Sequence, residues 1–187
     1  MKRASLLALL LSGCVASRPA VSRVPTLTIA GTDGRAHALL ADVSASVLTV
    51  YVFFSAHCRC LAVHELRLRA LEESYATRGV RFFFIDSEAS ANLDRDRAQA
   101  HARNYTFPIL VDPGASLANA LGAEYATYTV VVDRSGSIRY DGGIDSDRSH
   151  LRAGAQLFLR DALDDLLAGR APRVAHGEAL GCALEKG

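Results

Sequence analysis

The sequence predicts an α/β fold in which a central mixed β-sheet is flanked by helices and extended by an N-terminal β-hairpin. Two observations carry this prediction. Apolar runs rich in β-branched and aromatic residues, typical of strands buried on both faces, alternate with stretches of helical spacing. A hairpin pattern follows the last of the strong runs, and this order of elements indicates a sheet with both parallel and antiparallel strands.

The length of 187 residues, half of them hydrophobic, is enough for one well-buried core. We therefore expect a single domain with short appendages. The formal net charge of +1 argues against the strongly basic surface of a nucleic-acid-binding protein. No nucleic-acid partner is expected.

The predicted elements can be placed one by one. Asp33-Gly34 supplies the turn of the N-terminal hairpin, and residues 47–54 form the first strand buried on both faces. The next helix carries apolar residues at helical spacing and ends at Gly79. Expected strands are residues 27–29, 36–39, 47–54, 80–85, 109–111, 129–132 and 138–140, and expected helices are residues 61–75, 90–104, 117–121 and 157–167.

The N-terminus has the features of a targeting segment. Lys2 and Arg3 give it a positive end, and the apolar stretch 6–11 is too short to span a bilayer. The sequence Leu11-Ser12-Gly13-Cys14 then resembles a bacterial lipobox. This resemblance implies that the chain is cut before Cys14, which becomes the lipidated N-terminus. The alternative is an ordinary secretory signal with a coincidental cysteine.

A lipidated Cys14 would place the protein in the cell envelope, anchored to a membrane on the periplasmic side, because several acyl chains on one residue anchor stably. An Asp after the cysteine resembles an inner-membrane retention signal, so Val15 favours the outer membrane. The predicted division is a signal peptide at 1–13, a tether at 14–24, the main domain at 25–171 and a C-terminal tail at 172–187 that contains Cys182.

Export changes how the remaining cysteines are interpreted, because disulfides persist outside the cytosol. With Cys14 used for lipid, Cys58, Cys60 and Cys182 remain. An odd number of cysteines cannot all pair within one chain. One cysteine must be free, transiently bonded or bonded to another molecule, which suits redox chemistry better than a disulfide scaffold.

The turn that ends in Cys58 carries a specific resemblance. The buried strand runs into Phe53-Phe54-Ser55-Ala56-His57-Cys58 and is followed at once by a helix. This arrangement resembles the thioredoxin active-site turn. Asp33-Gly34 and the segment 130–140 resemble the redoxin branch, the AhpC/TSA-like and TlpA-like proteins. The segment 140–145 and the late Gly181-Cys182 are similar to a subset of exported redoxin-domain proteins. The resemblance covers roughly residues 25–185 and implies a thioredoxin-like fold.

The same resemblance implies thiol–disulfide oxidoreductase activity, with protein or small-molecule thiols and disulfides as partners and no cofactor. Cys58 precedes a helix, whose positive end lowers a thiol pKa. His57 and Arg59 add nearby positive charge. We therefore expect Cys58 to be the attacking thiolate and to react faster than Cys182, and Cys60 to resolve the mixed disulfide.

Two departures from the thioredoxin pattern matter. Only Arg59 separates the two cysteines, where thioredoxins have two residues, and Leu61 occupies the usual second position. If this tight pair forms its disulfide poorly, Cys182 is the alternative resolving thiol. Thr127 stands where the family has a cis-proline, and a non-proline cis bond costs about 3 kcal/mol. A trans or rearranged loop is therefore expected in this chain. The way in which the family docks its substrates is then not expected to carry over unchanged.

Three other functions stay open. Ser55-Ala56-His57-Cys58 fits the loose Ser/Thr-x-x-Cys pattern of peroxiredoxins, which suggests a thiol peroxidase. Cys58, Cys60 and His64 are ligand types for copper or zinc. His64 is nevertheless expected at the surface, and no bound metal is expected. The missing cis-proline allows a non-catalytic binding protein.

Overall fold

The computed structural model describes residues 22–187. The predicted signal peptide, Cys14 and the first part of the predicted tether lie outside the described residues. No helix in the described part of the chain is long and apolar enough to cross a membrane.

Strands and helices alternate from the hairpin onward, as expected. A short 3₁₀ turn, Pro113–Ala115, precedes the fourth helix. The elements are β1 Thr28–Gly31, β2 Ala36–Ala38, α1 Leu39–Ser44, β3 Leu48–Phe54, α2 Arg59–Ala76, β4 Val80–Asp86, α3 Leu93–Ala102, β5 Ile109–Val111, α4 Ser116–Leu121, β6 Thr129–Asp133, β7 Ile138–Gly142 and α5 Phe158–Leu167.

The strands form one seven-stranded mixed sheet in the order β2-β1-β5-β4-β3-β6-β7. Strands β3, β4 and β5 run parallel, and the remaining pairs are antiparallel. Strand β1 of the N-terminal hairpin pairs with β5, so the hairpin extends the sheet at one edge. The predicted α/β thioredoxin-like fold, with its mixed sheet, flanking helices and hairpin, is confirmed.

Strand β3 lies at the centre of the core, and all seven of its residues are buried. Its sequence, Leu-Thr-Val-Tyr-Val-Phe-Phe, explains this position, because only a nearly continuous apolar run can be covered on both faces. Helix α2 packs against β4, and α5 packs against β7. Because β3 and β4 are parallel, their carboxyl ends lie side by side at the same end of the sheet, where α2 begins.

The fold differs from the sequence prediction near the N-terminus. Leu39 begins the short helix α1, where a strand residue was expected. The expected tether also ends earlier than residue 24. Arg23 forms an isolated antiparallel bridge with Ser137, and Val24 is 4% exposed, with its N–H donating to the carbonyl of Gly136. The folded part of the chain thus begins by residue 22.

Candidate active site

The turn between β3 and α2 holds Cys58 at the first position before the helix. Cys58 has an extended backbone (φ −76°, ψ 109°), and its sulfur accepts a hydrogen bond from the N–H of Leu61 at 3.4 Å. Its own N–H donates to the carbonyl of Ser55. Cys58 therefore caps α2 with its side chain, which confirms its predicted place at the helix start.

The C-terminal tail folds back over this turn. We call residues 175–185 the C-terminal strap. It first runs beside β7, where Asp141 exchanges backbone hydrogen bonds with Ala175 and Gly177. It then crosses the loop at 124–127, which leads into β6. At its end, the N–H of Ala89 donates to the carbonyl of Glu185 at 2.7 Å.

Backbone bonds hold the strap against the 124–127 loop. The N–H of Ala126 donates to the carbonyl of Cys182, and the N–H of Leu184 donates to the carbonyl of Glu124, both at 2.9 Å. Gly181 is required here, because a Cβ at this position would lie 1.7 Å from the Ala126 carbonyl oxygen. These contacts fix Cys182 directly over the active-site turn.

The strap thereby brings all three cysteines together. The sulfur atoms of Cys58, Cys60 and Cys182 all lie within 4.8 Å of one another, and all three are free. The Cys182 thiol raises the pKa of the Cys58 thiol, whereas the Cys182 N–H lowers it. Residues from two distant segments of the chain thus form one sulfur cluster.

The acidity of Cys58 differs from the prediction. Burial raises the pKa of the Cys58 thiol to about 11, and the neighbouring Cys182 thiol adds to the rise. The Leu61 N–H lowers the pKa, as expected of a helix start, but the effect is outweighed. Cys58 is also 2% exposed, whereas Cys182 is partly exposed. The pKa of Cys58 is thus raised where a lowered one was expected, and the faster reaction of Cys58 than of Cys182 stays a prediction.

The other predicted site residues surround the cluster. His57 and Arg59 flank Cys58 in the sequence, and both are exposed. Thr127 lies under the strap with a trans peptide bond and a φ of 88°. Its N–H donates to the carbonyl of Phe53 at 2.9 Å, a bond that proline cannot make. The expectation of a trans loop at Thr127 is confirmed.

His64 lies at a different place from the one expected. It is buried, with Nδ1 2.6 Å from the Cys60 carbonyl oxygen and Nε2 3.0 Å from a carboxylate oxygen of Asp145. Burial alone would lower the pKa of His64, but the bonds to Asp145 and Cys60 raise it overall. Both ring nitrogens are therefore engaged, and His64 is neither a surface residue nor available to a metal beside Cys60.

Sequence reasoning missed Glu88, which lies just after β4 and is 6% exposed. Burial raises the pKa of its carboxyl, and the side chain of Ser55 in the active-site turn has a smaller, opposing effect. The N–H of the neighbouring Ala89 donates to the Glu185 carbonyl at the end of the strap. The sequence could have indicated Glu88 through its position. The strands β3 and β4 are adjacent and parallel, so residues that follow their carboxyl ends lie close together.

Comparison with known proteins agrees with the fold. Over residues 19–154 the sequence matches the Redoxin family. A hypothetical protein from Sinorhizobium meliloti has 25% identity and a TM-score of 0.79, over 91% of this chain and 96% of that one. An uncharacterized conserved protein from Geobacillus kaustophilus has 25% identity and a TM-score of 0.80, over 91% of this chain and 93% of that one.

More distant structures share the fold alone. The peroxidoxin BcpB from Mycobacterium tuberculosis has 16% identity and a TM-score of 0.57, over 79% of this chain and 95% of that one. No curated protein matches the sequence. The family match covers most of the chain and ends before the strap. The chain belongs to the Redoxin family of thiol redox proteins with a thioredoxin-like fold.

Proposed function

We propose that this protein is a thiol–disulfide oxidoreductase in which Cys58 attacks the substrate disulfide and Cys182 resolves the mixed disulfide. The observation that carries the proposal is that the sulfurs of Cys58 and Cys182 lie within 4.8 Å of each other beside the start of α2, where the Cys182 thiol raises the pKa of Cys58. Thiol–disulfide exchange needs two thiols within reach of each other. The substrates are disulfides of small molecules or proteins, and a thiol partner returns the protein to the reduced state.

The steps balance in atoms and electrons. The Cys58 thiolate attacks one sulfur of the substrate, so a Cys58–substrate disulfide forms and the substrate disulfide breaks. The leaving thiolate takes up a proton. Cys182 then loses its proton and attacks the Cys58 sulfur, which forms the Cys58–Cys182 disulfide and releases the second substrate thiol. Two electrons and two protons pass from the cysteine pair to the substrate.

The strap sets the order of events. With the strap closed, Cys58 is almost fully buried and protonated at neutral pH. The attack on an external disulfide therefore requires the strap to lift, which uncovers Cys58 and favours its thiolate. The return of the strap brings Cys182 back to Cys58 and expels the product. Cys60 is the alternative resolving thiol, because its sulfur belongs to the same cluster.

Single Cys→Ser variants test the assignment with a small aromatic disulfide as substrate. Cys58→Ser should lower the reduction rate more than 100-fold. Cys182→Ser should accumulate a Cys58–substrate mixed disulfide that mass spectrometry detects, whereas Cys60→Ser should turn over. If Cys60→Ser traps the substrate and Cys182→Ser does not, Cys60 is the resolving thiol. If wild type reduces hydrogen peroxide and no disulfide, the protein is a peroxidase.

Localisation is a separate proposal, supported by the lipobox-like sequence that ends in Cys14. We propose that Cys14 carries lipid and holds the protein at a membrane of the cell envelope. The wild-type protein should fractionate with membranes, and its N-terminal peptide should have the mass of an acylated cysteine. Unchanged membrane association and mass in Cys14→Ser would contradict the proposal.

A further inference from the structure

We propose that the reduced sulfur cluster is a binding site for one Cu(I) ion, with Cys58, Cys60 and Cys182 as its three ligands. This proposal goes beyond disulfide exchange and does not depend on it. The sequence alone suggested a different set, Cys58, Cys60 and His64. The structure removes His64 from that set and replaces it with Cys182 from the strap.

The geometry of the cluster is close to that of a three-coordinate site. All three sulfur atoms lie within 4.8 Å of one another before any ion is bound. With metal–sulfur bonds of about 2.3 Å, an ion at the centre of three sulfurs separates them by about 4 Å. A contraction of less than about 1 Å would therefore complete the site. A disulfide, by contrast, requires two sulfurs to approach to about 2 Å.

The cluster is also held in place by structure on both sides. Cys58 and Cys60 lie at the start of α2, and the Leu61 N–H already donates to the Cys58 sulfur. Cys182 is fixed by the backbone bonds of the strap to Ala126 and by the close packing of Gly181. The positive end of α2 offsets part of the charge of bound thiolates. Little ordering remains to be done when an ion enters.

The chemistry of the donor set favours Cu(I) over other ions. Thiolates are soft ligands that select Cu(I) and Zn(II) over Mg(II) or Ca(II). Structural zinc takes four ligands. Among residues 22–187, no histidine or carboxylate joins the three sulfurs. Three thiolates without a fourth protein ligand, largely shielded from water, match Cu(I), which accepts three-coordinate sulfur sites.

The oxidation state of the cysteines then controls the site. Formation of the Cys58–Cys182 disulfide removes two of the three ligands, so the oxidised protein cannot hold the ion. Binding of Cu(I), in turn, occupies the thiols and displaces their protons. The reduced protein should therefore bind Cu(I), and the protein with a Cys58–Cys182 disulfide should not.

The test is an anaerobic titration of reduced full-length protein with Cu(I) in competition with a chromogenic chelator. Wild type should retain one equivalent, and X-ray absorption should show three sulfur neighbours at about 2.3 Å. Cys182→Ser should bind at least tenfold more weakly and show two sulfur neighbours. Cys14→Ser is the matched control and should behave as wild type, because Cys14 is not among the three proposed ligands.

Several outcomes would overturn the proposal. These are the loss of all copper to the chelator from reduced wild type, three sulfur neighbours in Cys182→Ser, and equal retention by oxidised and reduced protein. The X-ray absorption measurement on wild type needs no variant, so a folding defect in a variant does not leave the proposal untested. None of these readouts depends on disulfide turnover, so failure here is distinguishable from failure of the oxidoreductase proposal.

Discussion

The active-site turn and the C-terminal strap supply cysteines to the same cluster, but they are built in different ways. The turn forms locally, since a buried strand ends at Phe54 and α2 begins at Arg59. The strap is held by backbone hydrogen bonds to distant segments and by close approaches that need glycine, such as Gly181 against Ala126. The turn places Cys58 at the start of α2, whereas the strap covers it and the Cys182 thiol of the strap raises its pKa.

The strap changes the chemistry that the turn alone would give. A cysteine at an open helix start has a lowered pKa. Here the strap buries Cys58 and brings the Cys182 thiol against it, and the pKa of Cys58 rises to about 11. An open turn resembles a thioredoxin site, whereas the closed strap holds the same thiol in a protected state.

The largest expected effect is on the free energy of unfolding of the oxidised protein. Its size distinguishes a disulfide within the turn from a disulfide between the turn and the strap. A Cys58–Cys182 disulfide closes a loop of about 125 residues and should stabilise the fold by up to about 5 kcal/mol in the chain-entropy model, against about 1.5 kcal/mol for Cys58–Cys60. Urea unfolding of oxidised and reduced protein measures the difference. The large increase should persist in Cys60→Ser and vanish in Cys182→Ser.

Gly181→Ala should weaken the strap without touching a cysteine. The new Cβ would collide with the Ala126 carbonyl, so the strap must shift and Cys58 becomes accessible. We expect alkylation of Cys58 by iodoacetamide to rise at least tenfold and the free energy of unfolding to fall by about 1–3 kcal/mol. Gly154→Ala is the control, because a Cβ there meets nothing within 4 Å. Equal alkylation rates in the two variants would show that the strap does not protect Cys58.

The pH dependence of Cys58 alkylation sharpens the same comparison. The thiolate is the reactive form, and below a pKa of about 11 its fraction rises tenfold with each pH unit. The rate for wild-type Cys58 should therefore still be rising at pH 10. In Gly181→Ala, lower burial should lower the pKa, so the rate should level off at a lower pH. A plateau near neutral pH in wild type would contradict the raised pKa.

The smallest effect concerns Thr127, where the loop meets the strap. Thr127 has a φ of 88°, and its buried hydroxyl has no hydrogen-bond partner among the described residues. Thr127→Gly removes both costs and should raise the free energy of unfolding by about 1 kcal/mol. Thr127→Pro should lower it, because proline loses the bond to Phe53 and cannot adopt this φ. Urea unfolding measures both changes, and the free energy of unfolding should rise in Thr127→Gly and fall in Thr127→Pro relative to wild type.

The sequence predicted what depends on local patterns. The buried run at 47–54 corresponds to β3, the position of Cys58 before a helix was correct, and Thr127 was identified as a departure from the family loop. These features depend on periodicity, on helix starts or on the properties of one residue. The fold class followed from their order.

The features that the sequence did not predict depend on distant partners. Nothing near Cys182 indicates that Ala126 binds it, and nothing near His64 indicates Asp145, which lies 81 residues away. The resemblance did include Gly142-Gly143 together with Gly181-Cys182. The structure explains why residue 142 is a glycine. A Cβ at this position would lie 2.1 Å from the Gly177 carbonyl oxygen of the strap.

Peptide mapping of the mildly oxidised, full-length protein shows which two cysteines form the working pair. The reduced protein is treated with a stoichiometric disulfide, alkylated at low pH and digested, and the cross-linked peptides are identified by mass spectrometry. The Cys58–Cys182 peptide pair should be the main product, with Cys60 alkylated. A Cys58–Cys60 disulfide with Cys182 alkylated would contradict the account, because the turn would then contain the whole working pair and the strap would contribute no thiol.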